Sequence, residues 1–140
     1  MLRTDVNNEL TEAIIGAFYD VYNTLGYGFL EKVYENALKL ELNKRQFKVE
    51  SQRPIRVYYD GIVVGEYFAD LLVEDTVLLE LKSVEKLRVE HEMQLFHYLK
   101  ATGIELGLLL NFGPKPEVKR KIWTNPNINP RKSVESVQSV

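Results

Sequence analysis

Phe68-Ala-Asp70-Leu-Leu-Val-Glu-Asp-Thr-Val-Leu-Leu-Glu80-Leu-Lys82 sets two apolar runs around the polar residues Glu74, Asp75 and Thr76. Short runs of β-formers bounded by turn residues read as strands, here Ile62 to Val73 and Thr76 to Lys82. Glu80 and Lys82 are two apart, so on a strand they point to the same sheet face. A carboxylate and an ammonium between Leu79, Leu81 and a buried sheet are costly unless they serve a site. Asp70 lies on the preceding strand, and register decides whether it joins them. A three-residue loop, Glu74-Asp75-Thr76, pairs Asp70 with Glu80 and gives all three groups one face. A two-residue loop pairs Asp70 with Leu79, separates the carboxylates and removes the site.

Outward from this hairpin the elements follow from hydrophobic spacing. Glu9 to Leu25 carries Leu10, Ile14, Ala17, Phe18, Val21, Tyr22 and Leu25 at helical intervals, with Asn7 or Asn8 as N-cap. Leu25-Gly26-Tyr27-Gly28 breaks this helix, its glycines suiting a left-handed cap. A second helix runs from Leu30 to Arg45 and buries Val33, Tyr34, Ala37, Leu38 and Leu42. Val49 to Tyr59 is a strand, joined to the next by Asp60-Gly61, a strong two-residue hairpin signal. Lys86 to Thr102 reads as a helix ended by Gly103, and Glu105 to Phe112 as a nearly all-apolar strand covered on both faces. The order is α-α-β-β-β-α-β.

Composition narrows the class. The 140 residues are 45% hydrophobic, which suits one domain with a core of its own. The absence of cysteine excludes a disulfide scaffold, a thiol nucleophile and cysteine-based zinc or iron–sulfur sites. No apolar run reaches the ~18 residues of a membrane span, and the start MLRTDVNNELTEA lacks the apolar core of a signal peptide. A soluble, cytoplasmic protein without a membrane partner is the expectation. A net charge of −2 argues against a broadly basic nucleic-acid binder. That charge is unevenly spread. Residues 113–140 carry Lys115, Lys119, Arg120, Lys121, Arg131 and Lys132 against Glu117 and Glu135, and hold four of the five prolines. The chain therefore divides into a domain over 1–112 and a basic tail over 113–140, extended or partly disordered. Trp123 suggests that residues 117–123 dock as a short helix or strand.

Two carboxylates and a lysine on neighbouring strands suit metal-assisted phosphodiester hydrolysis. Hard oxygen ligands hold Mg²⁺, and the lysine positions or helps deprotonate the attacking water. The plain alternative is a surface ion pair between Lys82 and Asp70 or Glu80. Two further patterns bear on the choice. In Gly28-Phe-Leu-Glu31-Lys-Val-Tyr34, Glu31 and Tyr34 share a helix face, as do Glu31 and Glu35. In Gln94-Leu-Phe-His-Tyr98, Gln94 and Tyr98 share a face with His91 and Leu87, while Leu95, Phe96 and Leu99 supply the buried one. Glu31 could equally be a first-turn carboxylate favourable to the helix dipole, Tyr34 a core residue, and Gln94 and Tyr98 solvent-facing. His91 and His97 are six apart and make a poor metal pair. Ser51 and Ser83 lack a triad pattern, and no phosphate- or dinucleotide-binding glycine motif occurs.

Taken together, Gly28-x-x-Glu31-x-x-Tyr34, Asp70, Glu80-Leu81-Lys82 and Gln94-x-x-x-Tyr98 resemble the GxxExxY family of the PD-(D/E)XK nuclease superfamily, over about residues 8–112. The resemblance implies an α/β (α+β) restriction-endonuclease-like core, α-β-β-β-α-β, with an extra N-terminal helix and a mixed sheet flanked by helices. It implies Asp70 and Glu80 as metal ligands, with the Leu81 carbonyl as a third. Lys82 would be the catalytic lysine, Glu31 a helix-borne carboxylate near or on the metal, and Gln94 and Tyr98 substrate- or site-organising groups. Mg²⁺ is the implied cofactor, with Mn²⁺ as a substitute. Ala69 stands where the superfamily name places a proline, and the short spacing from Asp70 to Glu80 fits a tight hairpin.

The expected function is a Mg²⁺-dependent nuclease acting on DNA. A catalytically silent nucleic-acid or protein interaction module of the same fold is the alternative. Phosphate contacts would be local, from Lys44, Arg45 and Lys48, from Arg53 and Arg56, from Lys86 and Arg88, or from the basic tail. Tyr58, Tyr59 and Tyr67 raise the expectation of a homodimer.

Overall fold

Residues 2–124 are described by a computed structural model, with side chains from residue 8 onward. Helix α1 (Leu2–Leu25) leads to α2 (Glu31–Lys44), β1 (Val49–Tyr59), β2 (Ile62–Val73), β3 (Val77–Lys82), α3 (Val89–Thr102), β4 (Leu106–Phe112) and β5 (Pro116–Ile122). The five strands lie side by side in sequence order; β3 and β4 run parallel and the other neighbours antiparallel. This is the mixed sheet and α+β class expected from the motifs. No helix among the described residues is long and apolar enough to cross a membrane.

The sheet separates two cores. On one face Ile14 and Phe18 of α1 and Leu38 and Leu42 of α2 pack on Leu71, Leu79, Leu108 and Phe112. On the other, Leu95 and Leu99 of α3 pack on Leu72, Leu78 and Leu109, with Trp123 closing the edge. Strand β4 is covered on both sides, and all seven of its residues are buried. That explains its almost unbroken apolar sequence.

Several boundaries differ from the sequence expectation. Helix α1 begins at Leu2, so Asn7 and Asn8 lie within it and do not cap it. No glycine or proline precedes them to halt propagation toward the N-terminus. Val33 is exposed, because the buried stripe of α2 runs through Tyr34, Glu35, Leu38 and Leu42. Helix α3 begins at Val89, and Lys86 to Arg88 form its lead-in. Residues 116–122 pair along the whole of β4, so the docked piece is a strand, and the indole of Trp123 is buried. Arg131, Lys132 and the final polar run lie outside the described residues.

Tyr34 fixes the turn that aims α2. Gly26 (φ 70°) and Gly28 (φ 116°) take left-handed angles that side chains disfavour. The Tyr34 hydroxyl donates to the Gly26 carbonyl at 2.6 Å and accepts the Phe29 amide at 3.1 Å. Its ring stacks on Phe112 at 4.3 Å between centroids. Replacing Tyr34 by Phe keeps the stack but strands both backbone partners, at about 1–2 kcal/mol. The Tm should fall by roughly 3–8 °C; an unchanged melting curve would mean that the hydroxyl does not hold the turn.

Candidate active site

The loop between β2 and β3 is the three-residue one. Leu71 pairs with Leu79, Leu72 with Leu78 and Val73 with Val77, which continues to Asp70 opposite Glu80. The ladder stops at Leu71–Leu79. Beyond it, β2 pairs only with β1 and β3 only with β4, so the two strands part like a fork. At the fork, side chains take the amides that carbonyls would otherwise accept. Asp70 Oδ2 accepts the Leu81 amide at 2.8 Å, and Glu80 Oε2 accepts the Asp70 amide at 3.2 Å. Each carboxylate is thus tied to the other's strand by one oxygen, while Asp70 Oδ1 and Glu80 Oε1 take no hydrogen bond among the described residues.

Lys82 completes the acidic-x-Lys pattern without pairing with either acid. Its Nζ donates to Gln94 Oε1 on α3 at 3.4 Å, and no ion pair within 4 Å joins it to Asp70 or Glu80 among the described residues. The plain surface salt bridge is therefore not what these residues form. Two acids consequently sit together with little compensation. Burial, then the charge of Asp70, pushes Glu80 up to about 8 against the pull of Lys82 and the Asp70 amide. Burial also raises Asp70, opposed by the Leu81 amide and reinforced by the charges of Glu35 and Glu31. Tyr98 is pushed up to about 12 by burial and by the charge of Glu80.

Groups reach the fork from both faces. Helix α2 brings Glu31, exposed on its first turn, and the buried Glu35 one turn later. Helix α3 brings half-buried Gln94 and buried Tyr98. The Leu81 side chain packs in the core, so only its backbone faces the site. His91 belongs elsewhere: its Nδ1 accepts the Arg88 amide at 3.0 Å and closes the start of α3.

Two further features are invisible to spacing rules. Gln52, between the pairs Ser51–Leu71 and Arg53–Ala69 of the β1–β2 register, takes φ 54° in the middle of a strand. A left-handed non-glycine residue there costs on the order of 1–3 kcal/mol and tends to mark a functional position. Its Nε2 donates to both oxygens of Glu35 at 3.1 Å, and Lys32 pairs with the same carboxylate at 3.2 Å. The second feature is a latch behind Lys82. Asn111, fully buried, bonds both the amide and the carbonyl of Val84 at 3.0 Å, and donates to Glu117 at 2.8 Å. Glu117 in turn accepts the Leu87 amide at 2.9 Å. A Cβ at Gly113 would collide with the Val84 carbonyl oxygen, so this position admits only glycine.

The donor chemistry suits a hard divalent cation. Among the described residues no three His, Cys, Asp or Glu side chains form a ready-made metal cage. Asp70 and Glu80 each keep one carboxylate oxygen open instead, the hard donor type that Mg²⁺ combines with waters and a substrate phosphate. The basic residues expected to meet phosphate are mostly engaged elsewhere. Lys48 pairs with Asp75, Arg53 with Glu50, Arg56 with Glu66, and Arg45 with Asp20 and Glu41.

The profile of the PD-(D/E)XK nuclease superfamily matches residues 8–121. The chain belongs to this superfamily. Its sequence span takes in β5 as well as the fork. Among solved structures, one described as "Crystal structure of SSO0001" is similar at a TM-score of 0.55 with 18% identity. The likeness covers 75% of this chain and 54% of that one. The chain thus spans about half of that protein, and the likeness carries the fold alone. No match is found among curated proteins. Membership of a nuclease superfamily supports a nuclease-type function and a nucleic acid as substrate.

The raised Glu80 gives the site a pH signature. Because its carboxyl titrates higher in the folded chain than its ordinary 4.5, the folded state holds that proton more tightly. The resulting stability is full below 4.5 and is lost as pH rises through about 8. In metal-free buffer the Tm should decline across that window, and Glu80→Gln should flatten the decline. Adding Mg²⁺ near the upper end should raise the wild-type Tm and raise that of the variant less. Equal slopes in both proteins would mean that Glu80 is not the titrating group.

Proposed function

We propose that the protein is a Mg²⁺-dependent nuclease of the GxxExxY group that hydrolyses phosphodiester bonds, with DNA as its substrate. The observation that carries this reading is the pair of half-buried Asp70 and buried Glu80, held at the fork with Lys82 beside it and not neutralising it. Like charges brought together out of water are unfavourable unless a cation balances them. When bound by Asp70, Glu80 and the Leu81 carbonyl, Mg²⁺ would polarise the phosphate and offset its developing charge; Mn²⁺ would substitute.

The remaining steps belong to the chain. The Lys82 side chain orients the attacking water; as the neutral amine it takes the water's proton, and the ammonium so formed faces the phosphoryl oxygens. Gln94 fixes the Lys82 Nζ through its carbonyl oxygen. Tyr98 closes the α3 side and, with its proton held tightly, offers a hydroxyl donor. Glu31 stands at the start of α2 as an outer carboxylate for the cation's waters. Glu35, bridged to β1 by Gln52, supports that side of the site.

The test is cleavage of single- and double-stranded DNA and of RNA with Mg²⁺ and with chelator. Lys82→Ala should slow cleavage by about 10²–10⁴-fold, and Asp70→Asn should abolish the metal-dependent rate. Activity that survives both substitutions would place the chemistry at another site. A protein that binds DNA but neither takes Mg²⁺ nor cuts would be a silent module.

A further inference from the structure

Beside the fork, α3 and the end of the β1–β2 hairpin enclose a cleft of about 1030 Å³. This is at the upper end of the ~300–1,000 Å³ usual for small-ligand sites. Gln94 and Tyr98 line it, and Gln94 accepts a hydrogen bond from Lys82 Nζ. The cleft therefore adjoins the candidate active site. Its far side is built from Tyr58, Tyr59 and Tyr67. Tyr67 lies tilted on Tyr98 with 5.6 Å between centroids, and Tyr59 keeps 71% of its surface open.

The backbone arranges this lining. The β1–β2 register shifts between Val57 and Tyr58, which leaves Val64 as an extra residue on β2. Such a bulge twists a strand and re-aims its side chains. Tyr58 and Tyr59, which a regular strand sends to opposite faces, both reach the cleft.

Charge decides the occupant. Lys100 is the sole Lys or Arg of the lining, and Glu90 opposes it. A nucleic acid held by its backbone requires a row of cations against the phosphates, which these walls lack. Open aromatic faces in neutral surroundings bind the faces of nucleobases, and only unpaired bases present theirs.

We propose that this cleft receives unpaired bases of single-stranded nucleic acid, stacked on Tyr59 and Tyr67, and so delivers the adjoining phosphodiester to Asp70, Glu80 and Lys82. The assignment of that phosphodiester rests on the nuclease reading; the stacking does not. The experiment is fluorescence anisotropy in chelating buffer with the full chain. The probes are a labelled single strand, an abasic strand of equal length and a duplex. The single strand should bind at least tenfold more tightly than the abasic strand or the duplex. Tyr59→Ala should weaken single-strand binding about tenfold and leave abasic binding unchanged, while Tyr59→Phe should retain wild-type affinity. Circular dichroism checks that the variants fold.

Equal binding of abasic and normal strands, or a Tyr59→Ala variant with unchanged affinity, would overturn the proposal. So would loss of a dimer in light scattering without any change in oligonucleotide binding, which would make the cleft an interface between copies. Mg²⁺-dependent cleavage alongside failed stacking would remove the cleft and keep the nuclease. Stacking without cleavage of any substrate would do the reverse.

Discussion

Where β2 and β3 part, two carboxylates stand in for two carbonyls. Asp70 takes the amide of Leu81 and Glu80 takes the amide of Asp70, so the strands remain joined after their ladder has ended. Everything around the site depends on this substitution. It satisfies buried amides that would otherwise be orphaned, and it holds two acids in fixed relation while leaving an oxygen of each available. The same arrangement concentrates negative charge in a buried place, which is why both groups titrate high. A lone salt bridge would have relieved that tension, but Lys82 is drawn aside to Gln94. On the proposed reading, a divalent cation would supply the balancing charge.

The fold positions this fork by rigid means. Parallel pairing of β3 with the fully buried β4 fixes Glu80 and Lys82 from behind. Asn111 and Glu117 then anchor the segment that follows Lys82, so the lysine leaves a restrained strand and not a loose end. On the other face the aromatic stack of Tyr34 on Phe112 seats the start of α2 and with it Glu31 and Glu35. Two helices on opposite faces can serve one site because the strands between them diverge there.

Much of this was legible in the sequence. Loop length reduced the Asp70 register to two choices, opposite Glu80 or opposite Leu79, and the observed ladder is the one that continues to Glu80. The polar character of residues 113–122 was harder to interpret. Prolines and alternating lysines resemble a solvated tail, yet they are also what an edge strand carries to resist pairing with other chains. Pro116 opens β5, Lys119 and Arg120 are exposed, and Val118 packs on the core. Of Glu35 only the face it shares with Glu31 could be read, and of Gln52 nothing. One is a carboxylate buried on a mostly polar helix, and the other is a glutamine whose left-handed backbone exists only once β1 lies against β2. Net charge was misleading for a related reason, because it averages a buried acidic site with an exposed basic edge.

The central claim is that Asp70 and Glu80 form one divalent-cation site. The most direct measurement is a titration of Mn²⁺ into the metal-free protein, followed by the loss of the free-ion electron paramagnetic resonance signal. The account predicts a saturable site in the wild type, competed by Mg²⁺, weakened in Glu80→Gln and absent in Asp70→Asn, with all three proteins folded. Saturable binding that persists in both variants, or no saturable binding in the wild type, would contradict it.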